Sequence, residues 1–522
     1  METATQEKKS LFWRFIHGVE VVGNKFPHPF YLFTILIFVS VILSVIFAGV
    51  SVTYEQAGSN GTSSEIVTTT VINLINRDTI TNVTQNMYSI YYNFSPMMMM
   101  GLLMLSIGLA EQVGLFGAVI KRTIMGVRPA FVFAVVSFVA INAHTASNAG
   151  VLGCTAVSAA VFASMGYNPW LGIILSYAAG NAGFAANLFV GNLDVLVSGI
   201  DESVCSSLGI DTSTVHVLQN WYFMLVSALI LTVVYTFVTT KFVRGFIGEP
   251  KDLSLVQDAD ASNGLTPVEH RALRNAGIAA IVFIALVVAA CIPSNSFFRA
   301  EDGSLLPNSP LLKSILTILF LFFLVTAIAY GRTTKKIATW NDLPKMLAKS
   351  IDSMVNFMVI ALPASLFIYL FNASNIPTVL GAAGAEWIKG TGINGFGLLV
   401  LVILFTIFLD LFMTSGSSKW MILAPILIPM FYSIGFRPAL TTLAYRIGDA
   451  SANCIAPISS DIALIVGLLG KYNTDKSKTP GMGNVFAGCM PYSIATLITQ
   501  LIILAVWWVL KLPLGPGVEM FI

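Results

Sequence analysis

Long apolar stretches constrain the fold of this chain more than any other feature. Only 10% of its 522 residues are charged, whereas soluble domains are about a quarter charged. A helical crossing of a bilayer needs roughly 20 apolar residues. The sequence therefore predicts an all-α polytopic membrane protein and excludes a soluble enzyme of this size. The apolar stretches are 28–50, 96–120, 129–166, 168–200, 218–240, 276–292, 311–331, 352–372, 396–433, 437–470 and 486–510.

Two of these stretches, 129–166 and 396–433, are too long for one crossing and too short for two crossings joined by a loop. Each has a small polar tip at its middle, His144–Gly150 in the first and Thr414–Ser418 in the second. Irregular backbone at membrane depth is tolerated only where protein or a water-filled cavity satisfies its polar groups. We therefore predict two re-entrant hairpins, each of which enters and leaves on one side of the membrane.

Setting the hairpins aside leaves nine transmembrane helices, and the distribution of positive charge tests this layout. With the N-terminus inside, the cytoplasmic segments hold 20 of the 28 Lys and Arg residues and the outer segments hold 6. Lys419 and Arg446 lie within the membrane. Because cytoplasmic loops carry the excess of Lys and Arg, we predict a multi-pass protein of the inner or plasma membrane with a cytoplasmic N-terminus and an outer C-terminus. The net charge of +2 offers no basic surface for nucleic acid.

The hairpins belong to two units that resemble each other and have opposite orientations. Ser147 precedes Asn187 by 40 residues and Ser417 precedes Asn453 by 36, and each unit has the order helix, hairpin, broken helix, helix. Inverted repeats with broken helices place substrate and coupling ions near the membrane midplane. The predicted parts are a first half at 1–244 (helices 1–4 with hairpin 129–166), a cytoplasmic linker at 245–275, an extra crossing at 276–292, and a second half at 293–522 (helices 6–9 with hairpin 396–433).

Ionisable residues inside the crossings are the first functional candidates, because charge is costly there. Arg446 and Asp449 are three residues apart on one helix, so we expect their side chains to meet on one face. They form either a structural ion pair or a cation for an anionic substrate beside a proton-binding carboxylate. Asp194, expected at the end of the matching broken helix, is either a helix-end residue or a second titrating carboxylate. Asp410 and Asp461 are predicted to be buried hydrogen-bonding partners.

Polar side chains at the tips and breaks form a second group of candidates. Ser417 and the N–H groups of the second tip can bind an anion, and Trp420 offers either a stacking plane for an aromatic ring or ordinary packing. Asn148, Asn187 and Asn453 are amides at breaks, where they are either Na⁺ ligands beside freed backbone carbonyls or helix caps. The five cysteines show no metal-ligand spacing. We therefore predict no cofactor and no metal beyond Na⁺.

Several segments resemble the AbgT family of p-aminobenzoyl-glutamate transporters, and together they extend over nearly the whole chain. The resemblance implies a homodimer of nine-helix protomers with two opposed hairpins, in a fold shared with sodium-coupled dicarboxylate carriers. It also implies a secondary transporter that imports p-aminobenzoyl-glutamate, an anionic aromatic compound, or exports sulfonamides as an antiporter, driven by the proton motive force, with Na⁺ also implicated. The matching segments are Gly23–Pro29, Gly183–Leu188, Ser415–Ser417 with Trp420, Ala424–Ile426, Tyr445–Asp449 and Leu512–Gly517.

The resemblance also implies functional residues by position. Lys419 departs from the family pattern, because this tip position is usually uncharged in relatives. A second cation near Arg446 would strengthen binding of a dianion, which leaves the preferred substrate open. The residues implied are Asp194, Ser417, Trp420, Pro438, Arg446 and Asp449.

Two other functions remain as alternatives. A sodium-coupled dicarboxylate importer would share the architecture, but the Ser-Asn-Thr tips typical of those carriers are matched only in part by Ser147–Ala149 and Ser417–Lys419, and Trp420 suits an aminobenzoyl ring better than succinate. An intramembrane protease is disfavoured, because Arg446–Asp449 lacks the first glycine of Gly-x-Gly-Asp and no Tyr-Asp partner or HExxH motif is present. We expect a transporter rather than an enzyme, with the direction of transport open.

Overall fold

The computed structural model describes residues 27–57, 64–256, 264–306, 309–391 and 395–522. Residues 23–26 of the amino-terminal signature and the side chain of Asn148 lie outside the described residues. The described ranges are mainly helical. Strands β1 (Ser51–Ala57) and β2 (Ser64–Thr70) form an antiparallel hairpin.

Proline is the first residue of several membrane helices, which begin at Pro29, Pro169, Pro267 and Pro438. Proline is favoured at the first helical position, because its missing N–H would have no intrahelical partner there. The helices before residue 250 are α1 (Pro29–Ile46), α2 (Arg77–Tyr92), α3 (Ser95–Gln112), α4 (Leu115–Ile124), α5 (Val132–Ala143), α6 (Ser147–Ser164), α7 (Pro169–Ala182), α8 (Asn192–Ser207), α9 (Trp221–Val238) and α10 (Arg244–Ile247). The later helices are α11 (Pro267–Cys291), α12 (Pro310–Lys313), α13 (Ile315–Thr333), α14 (Asp342–Ser350), α15 (Asp352–Ala373), α16 (Ile376–Thr391), α17 (Gly395–Asp410), α18 (Gly416–Tyr432), α19 (Pro438–Ala452), α20 (Ser460–Lys471) and α21 (Met482–Leu510).

Within the described residues, eight helical segments are long and apolar enough to cross a membrane. This result confirms the prediction of an all-helical protein with multiple membrane spans. The segments are Pro29–Ile46, Arg77–Gln112, Pro129–Ala146, Trp221–Ile247, Pro267–Cys291, Ile315–Thr333, Met354–Ala373 and Met482–Leu510.

Two helix pairs fold back on themselves where the sequence predicts hairpins. Helices α5 and α6 are joined by a 3₁₀ turn. The rings of Phe133 and Phe162, near the helix ends that are remote from this turn, have centroids 5.4 Å apart. Gly395 starts α17, and a Cβ there would lie 2.7 Å from Phe436, just beyond the end of α18. The four arms contain 12 to 18 residues. At 1.5 Å per residue they are about 18 to 27 Å long, shorter than a bilayer core of about 30 Å.

Two further helices are interrupted. The first break separates α7 from α8, and the second separates α19 from α20. A glycine near each break allows close packing against the first arm of the hairpin in the same half. A Cβ on Gly183 would clash with the carbonyl oxygen of Ile141, and one on Gly448 would lie 2.6 Å from that of Ile403. The two halves therefore use glycine in the same way to bring break and hairpin together.

Two polar loops meet at one end of the molecule. The Asp252 N–H donates to the Thr474 carbonyl over 3.1 Å, and the Lys251 ammonium lies 2.8 Å from the Asp475 carboxylate. These contacts join the segment after α10 to the loop after α20. The sequence layout places both on the cytoplasmic side.

The final residues, 511–522, connect two segments at the opposite end, and we call them the tail. The Tyr222 N–H donates to the Leu514 carbonyl over 3.0 Å, and the Ile522 N–H donates to the Gly435 carbonyl over 3.0 Å. The tail thus joins the start of α9 to the loop after α18. The sequence layout places all three segments on the outer side.

Three features differ from the sequence-based expectation. The extra crossing, predicted at 276–292, is the longer helix α11, because Thr266 and Glu269 form a capping box that starts it nine residues earlier. The segment 51–95, which lies between the predicted apolar stretches 28–50 and 96–120, contains the β-hairpin and α2. Helix α16 was not predicted; it packs on α18 through small residues, and a Cβ on Gly384 would lie 2.8 Å from the Met430 sulfur.

Candidate functional site

A cavity of about 310 Å³ lies where the tips of the two hairpins meet the two helix breaks. Both halves of the chain contribute to its wall. Its polar lining includes His144, Asn181, Ser415, Ser417, Asp449, Asn453 and Asp461.

Arg446 forms an ion pair with Asp194, from the other half of the chain. Its Nη2 lies 2.6 Å from Asp194 Oδ1, and its Nε donates to the Phe184 carbonyl over 2.7 Å. The guanidinium also stacks over the Phe184 ring, 5.1 Å from the centroid. The prediction that Arg446 contacts Asp449 was wrong, because the Arg446 guanidinium pairs with Asp194 from the other half instead. Both members of the observed pair are buried.

Asp194 begins a helix rather than ending one, which corrects a second expectation. It occupies the third position of α8, where its carboxylate accepts from the Gly191 N–H over 2.7 Å. A carboxylate in the first turn of a helix is stabilised by the positive end of the helix dipole. Asp194 is therefore held both by the helix and by Arg446.

Asp449 pairs with a different cation, Lys419 of the second hairpin. The Lys419 Nζ lies 2.5 Å from Asp449 Oδ1 and is also in direct contact with the Asp410 carboxylate. All three side chains are completely buried. Asp410, predicted to be a buried hydrogen-bonding partner, is thus part of an ion cluster. We call Asp410, Lys419 and Asp449 the lysine cluster.

The amides at the two breaks occupy matching positions. Asn187 Nδ2 donates to Asp194 Oδ2 over 3.0 Å, and Asn453 Nδ2 donates to Asp449 Oδ2 over 2.6 Å. Each amide therefore binds the carboxylate at the break of its own half. The amide oxygen is the atom through which either residue could bind Na⁺. The third amide, Asn148, has no described side chain.

Trp420 is fully buried beneath the second tip. Its ring stacks on Tyr445 with centroids 4.6 Å apart, and its Nε1 donates to Asp201 over 2.6 Å. The Tyr445 hydroxyl in turn donates to the Gly416 carbonyl at the tip. In this structure, Trp420 supports the tip by packing and hydrogen bonding.

Asp201 is a buried carboxylate that the sequence analysis missed. It accepts hydrogen bonds from Gln219 over 2.6 Å and from Thr442 over 2.7 Å, besides that from Trp420. The predicted apolar stretch 168–200 ends just before Asp201, so Asp201 was not among the ionisable residues expected inside the membrane. Asp201 follows Asp194 by seven residues, which is close to two helical turns. This spacing places both carboxylates on one face of the helix and is the sequence signal that could have identified Asp201.

Ser417 and Pro438 have different places in the site. Ser417 lines the cavity at the second tip, where the Ser415 hydroxyl caps α18. Pro438 is the buried first residue of α19, at the end remote from the break, and its carbonyl accepts from the Thr442 hydroxyl over 3.0 Å. Pro438 therefore fixes where the broken helix starts.

With all of its carboxylates ionised, the site would carry an excess of negative charge. Carboxylates outnumber the two cations, Arg446 and Lys419, and all of these groups are buried. A buried charge without a partner is strongly destabilising. The site is therefore suited to binding an exchangeable cation or proton together with a charged solute. Its carboxylates are Asp194, Asp201, Asp410 and Asp449.

Comparison with known proteins covers almost the entire chain. Residues 14–522 match the model of the AbgT putative transporter family. The p-aminobenzoyl-glutamate transport protein of Escherichia coli is 32% identical over 500 residues, which are 96% of each chain. A C4-dicarboxylate TRAP transporter large permease protein, DctM of Rhodobacter capsulatus, is 26% identical over only 26% of this chain and 29% of its own length.

Two solved transporter structures share the fold. MtrF of Neisseria gonorrhoeae, described as one of a class of antimetabolite efflux pumps, has a TM-score of 0.87 and 31% identity and covers 97% of this chain and 100% of its own. The YdaH transporter of Alcanivorax borkumensis has a TM-score of 0.84 and 26% identity and covers 94% of this chain and 100% of its own. These similarities identify a transporter rather than an enzyme. The chain belongs to the AbgT putative transporter family.

Proposed function

We propose that this chain is a secondary active transporter of p-aminobenzoyl-glutamate-like or sulfonamide-type aromatic compounds, driven by the proton motive force. The observation that carries the proposal is the cavity between the hairpin tips, which is lined by Asp449 of the lysine cluster and by Phe184, whose carbonyl accepts a hydrogen bond from Arg446. The names of the relatives support the substrate class, since one is a p-aminobenzoyl-glutamate transport protein and another an antimetabolite efflux pump.

The architecture that we propose has nine transmembrane helices and two opposed re-entrant hairpins in an inverted repeat. Seven of the eight long segments cross singly, the broken helices α7–α8 and α19–α20 add two crossings, and Pro129–Ala146 is a hairpin arm. The loop contacts support this count, because each joins segments that the layout places on one side. The charge distribution supports a cytoplasmic N-terminus and an outer C-terminus.

In the proposed mechanism, Arg446 binds the negative charge of the substrate in competition with Asp194. A guanidinium offers five donors in a planar fork that matches a carboxylate, and two of them already serve Asp194 and Phe184. Ser417 and the N–H groups of the second tip add hydrogen bonds to the same anion. Trp420 and Pro438 act as positioning residues, since they hold the tip and the start of α19.

Proton coupling follows from the same competition. When an anionic substrate occupies Arg446, Asp194 loses its counter-charge and takes up a proton; when the substrate leaves, Asp194 releases it. The two binding events are then reciprocally linked. The sequence alone assigned this linkage first to Asp449, but Arg446 contacts Asp194, so Asp194 becomes the first coupling carboxylate and Asp449 the second. This sign gives symport, whereas proton-driven export requires proton and substrate to compete.

A homodimer in the membrane completes the proposal. It is supported by the likeness to the AbgT family and by the apolar face of α11, where Ile281 and Leu286 are largely exposed. Static light scattering of the detergent-solubilised protein measures the mass of the assembly. A monomeric mass across a range of protein concentrations would contradict the dimer.

Transport in proteoliposomes tests the function. Labelled p-aminobenzoyl-glutamate is expected to move when a pH gradient is imposed, and a sulfonamide is expected to compete with it. Succinate serves as the contrasting substrate. Transport of succinate in preference to the aromatic compound would replace this proposal with a dicarboxylate carrier.

A further inference from the structure

The lysine cluster distinguishes the second half of the chain from the first. Lys419 lies in the first turn of α18, at the tip of the second hairpin. The first turn of α6 holds the corresponding place in the first hairpin, and its residues, Ser147–Gly150, include no cationic side chain. The two halves therefore share glycines and amides at their breaks, but only the second inserts a cation from its own tip.

The Lys419 ammonium is held as a bound cation would be. It lies between two carboxylates, in contact with Asp410 and 2.5 Å from Asp449 Oδ1. Asp449 also accepts from Asn453 over 2.6 Å and from the Tyr445 hydroxyl over 3.3 Å. Oxygen-rich breaks of this kind are where transporters bind Na⁺. In this chain, the place between the two carboxylates is filled by a side chain.

The charge of the cluster sets how many mobile cations it needs. With both carboxylates ionised, one lysine leaves a single excess negative charge, which one exchangeable proton neutralises. Without the lysine, the same carboxylates would carry two negative charges in a fully buried place. Because uncompensated buried charge is strongly unfavourable, a second cation would then be needed.

We propose that Lys419 is a tethered cation that takes the place of a Na⁺ ion between Asp410 and Asp449, so that transport by this chain does not require Na⁺. The proposal rests on the transport function proposed above. The lysine is covalently attached and remains in the protein through the cycle. The solute that exchanges at the cluster is then the proton alone.

Replacement of Lys419 by Met tests the proposal, because Met keeps most of the side-chain volume and removes the charge. Transport in proteoliposomes is measured under one pH gradient, with Na⁺ exchanged for choline at constant ionic strength. The wild type is expected to transport equally in both salts. The Lys419→Met variant is expected to lose at least about tenfold in choline, because the buried carboxylates then lack a counter-charge, and to recover in Na⁺. Lys349→Met, at an exposed lysine of α14, is the matched control and is expected to behave as the wild type.

A second measurement separates this inference from the transport function. A ligand that binds only the folded state raises the melting temperature, so Na⁺ without substrate is expected to stabilise Lys419→Met and not the wild type. That result supports the tethered cation even if no tested compound is transported. If the wild type transports the aromatic compound but requires Na⁺, or if Lys419→Met responds equally to Na⁺ and choline, the tethered cation is overturned and the transport function stands.

A double variant decides the matter if Lys419→Met is not recovered in a folded form. Asp410→Asn combined with Lys419→Met restores the wild-type net charge of the cluster while it keeps the altered packing. The proposal expects this variant to fold and to transport independently of Na⁺. Failure of the double variant to fold would assign Lys419 a packing role and overturn the proposal.

Discussion

Arg446 is the residue for which exchange of a single side chain is most informative. It holds Asp194 through Nη2 and the Phe184 carbonyl through Nε at the same time. A lysine keeps the charge but has one ammonium in place of the fork. We expect Arg446→Lys to reduce transport nearly as much as Arg446→Ala, by roughly tenfold or more, since a hydrogen bond to a charged group contributes about 1.5 to 3 kcal/mol. Initial rates of proteoliposome uptake measure this. Wild-type rates in the lysine variant would show that only a point charge is needed.

Asp194 is expected to make substrate affinity depend on pH. The affinity for an anionic substrate should fall as pH rises, because the ionised carboxylate competes for Arg446, whereas the protonated one does not. Asp194→Asn should remove this dependence. Substrate affinity measured at a series of pH values provides the comparison, with Asp211→Asn, at an exposed residue between α8 and α9, as the control. An unchanged pH profile in Asp194→Asn would transfer the coupling role to Asp449.

The residues of the site show where prediction from sequence succeeds and where it ends. Arg446 and Asp449 were found because charge in an apolar helix is conspicuous. The pairing of Arg446 with Asp194 was not predicted, since Asp194 precedes Arg446 by 252 residues and only the packing of the halves brings them together. Asp201 was missed because helix α8 continues past the point where hydropathy falls.

Among the elements, the hairpins and breaks depend on glycines that permit close helix packing. An alanine at Gly448 would place its Cβ 2.6 Å from the Ile403 carbonyl oxygen and also against Thr406. Overpacking of this kind costs about 1 to 3 kcal/mol. We therefore expect Gly448→Ala, and likewise Gly183→Ala, to lower the melting temperature and the transport rate. Gly467→Ala, with open space around its Cβ in α20, is the control and should leave both unchanged.

The segment after α10 is expected to stay docked on the loop after α20 throughout the physiological pH range. The Lys251 ammonium, and after it the Ser477 hydroxyl, donate to Asp475 and lower its pKa from 3.8 to about 2. The stabilisation that accompanies this lowered carboxylate pKa is complete above pH 3.8 and is lost as pH falls through about 2. Hydrogen exchange of residues 249–256 should therefore show the same protection at pH 5 and pH 8, after correction for intrinsic rates. Asp475→Asn should weaken that protection at both values.

The two helical hairpins could be predicted because a single physical rule determines where they occur. Small polar tips inside long apolar stretches located both hairpins, because irregular backbone is excluded from lipid unless its polar groups have hydrogen-bond partners. The β-hairpin was missed because its outer segment was assessed by hydropathy alone, and strands rich in threonine score low on that scale although threonine favours strands. Its strands, Ser51–Ala57 and Ser64–Thr70, pair along their whole length. Helix α16 was missed because its small residues suit packing rather than membrane crossing.

For the whole molecule, the proposed topology predicts opposite sidedness across α11. Ser254 and Glu301 are exposed residues that flank this helix. A membrane-impermeant maleimide should label Glu301→Cys in intact cells and Ser254→Cys only after permeabilisation. Both variants require a Cys291→Ser background, because the other four native cysteines are buried. The reverse pattern would contradict the proposed orientation of α11.

The tail places a mechanical restriction on the transport cycle. Through Leu514 it bonds to the start of α9, and through Ile522 it bonds to Gly435, just after α18. Independent movement of these two segments would break the backbone hydrogen bonds, so we expect them to move together. We therefore expect any hinge that alternates access to the cavity to lie outside these segments, so that the start of α9 and the loop after α18 keep their relative positions while it bends.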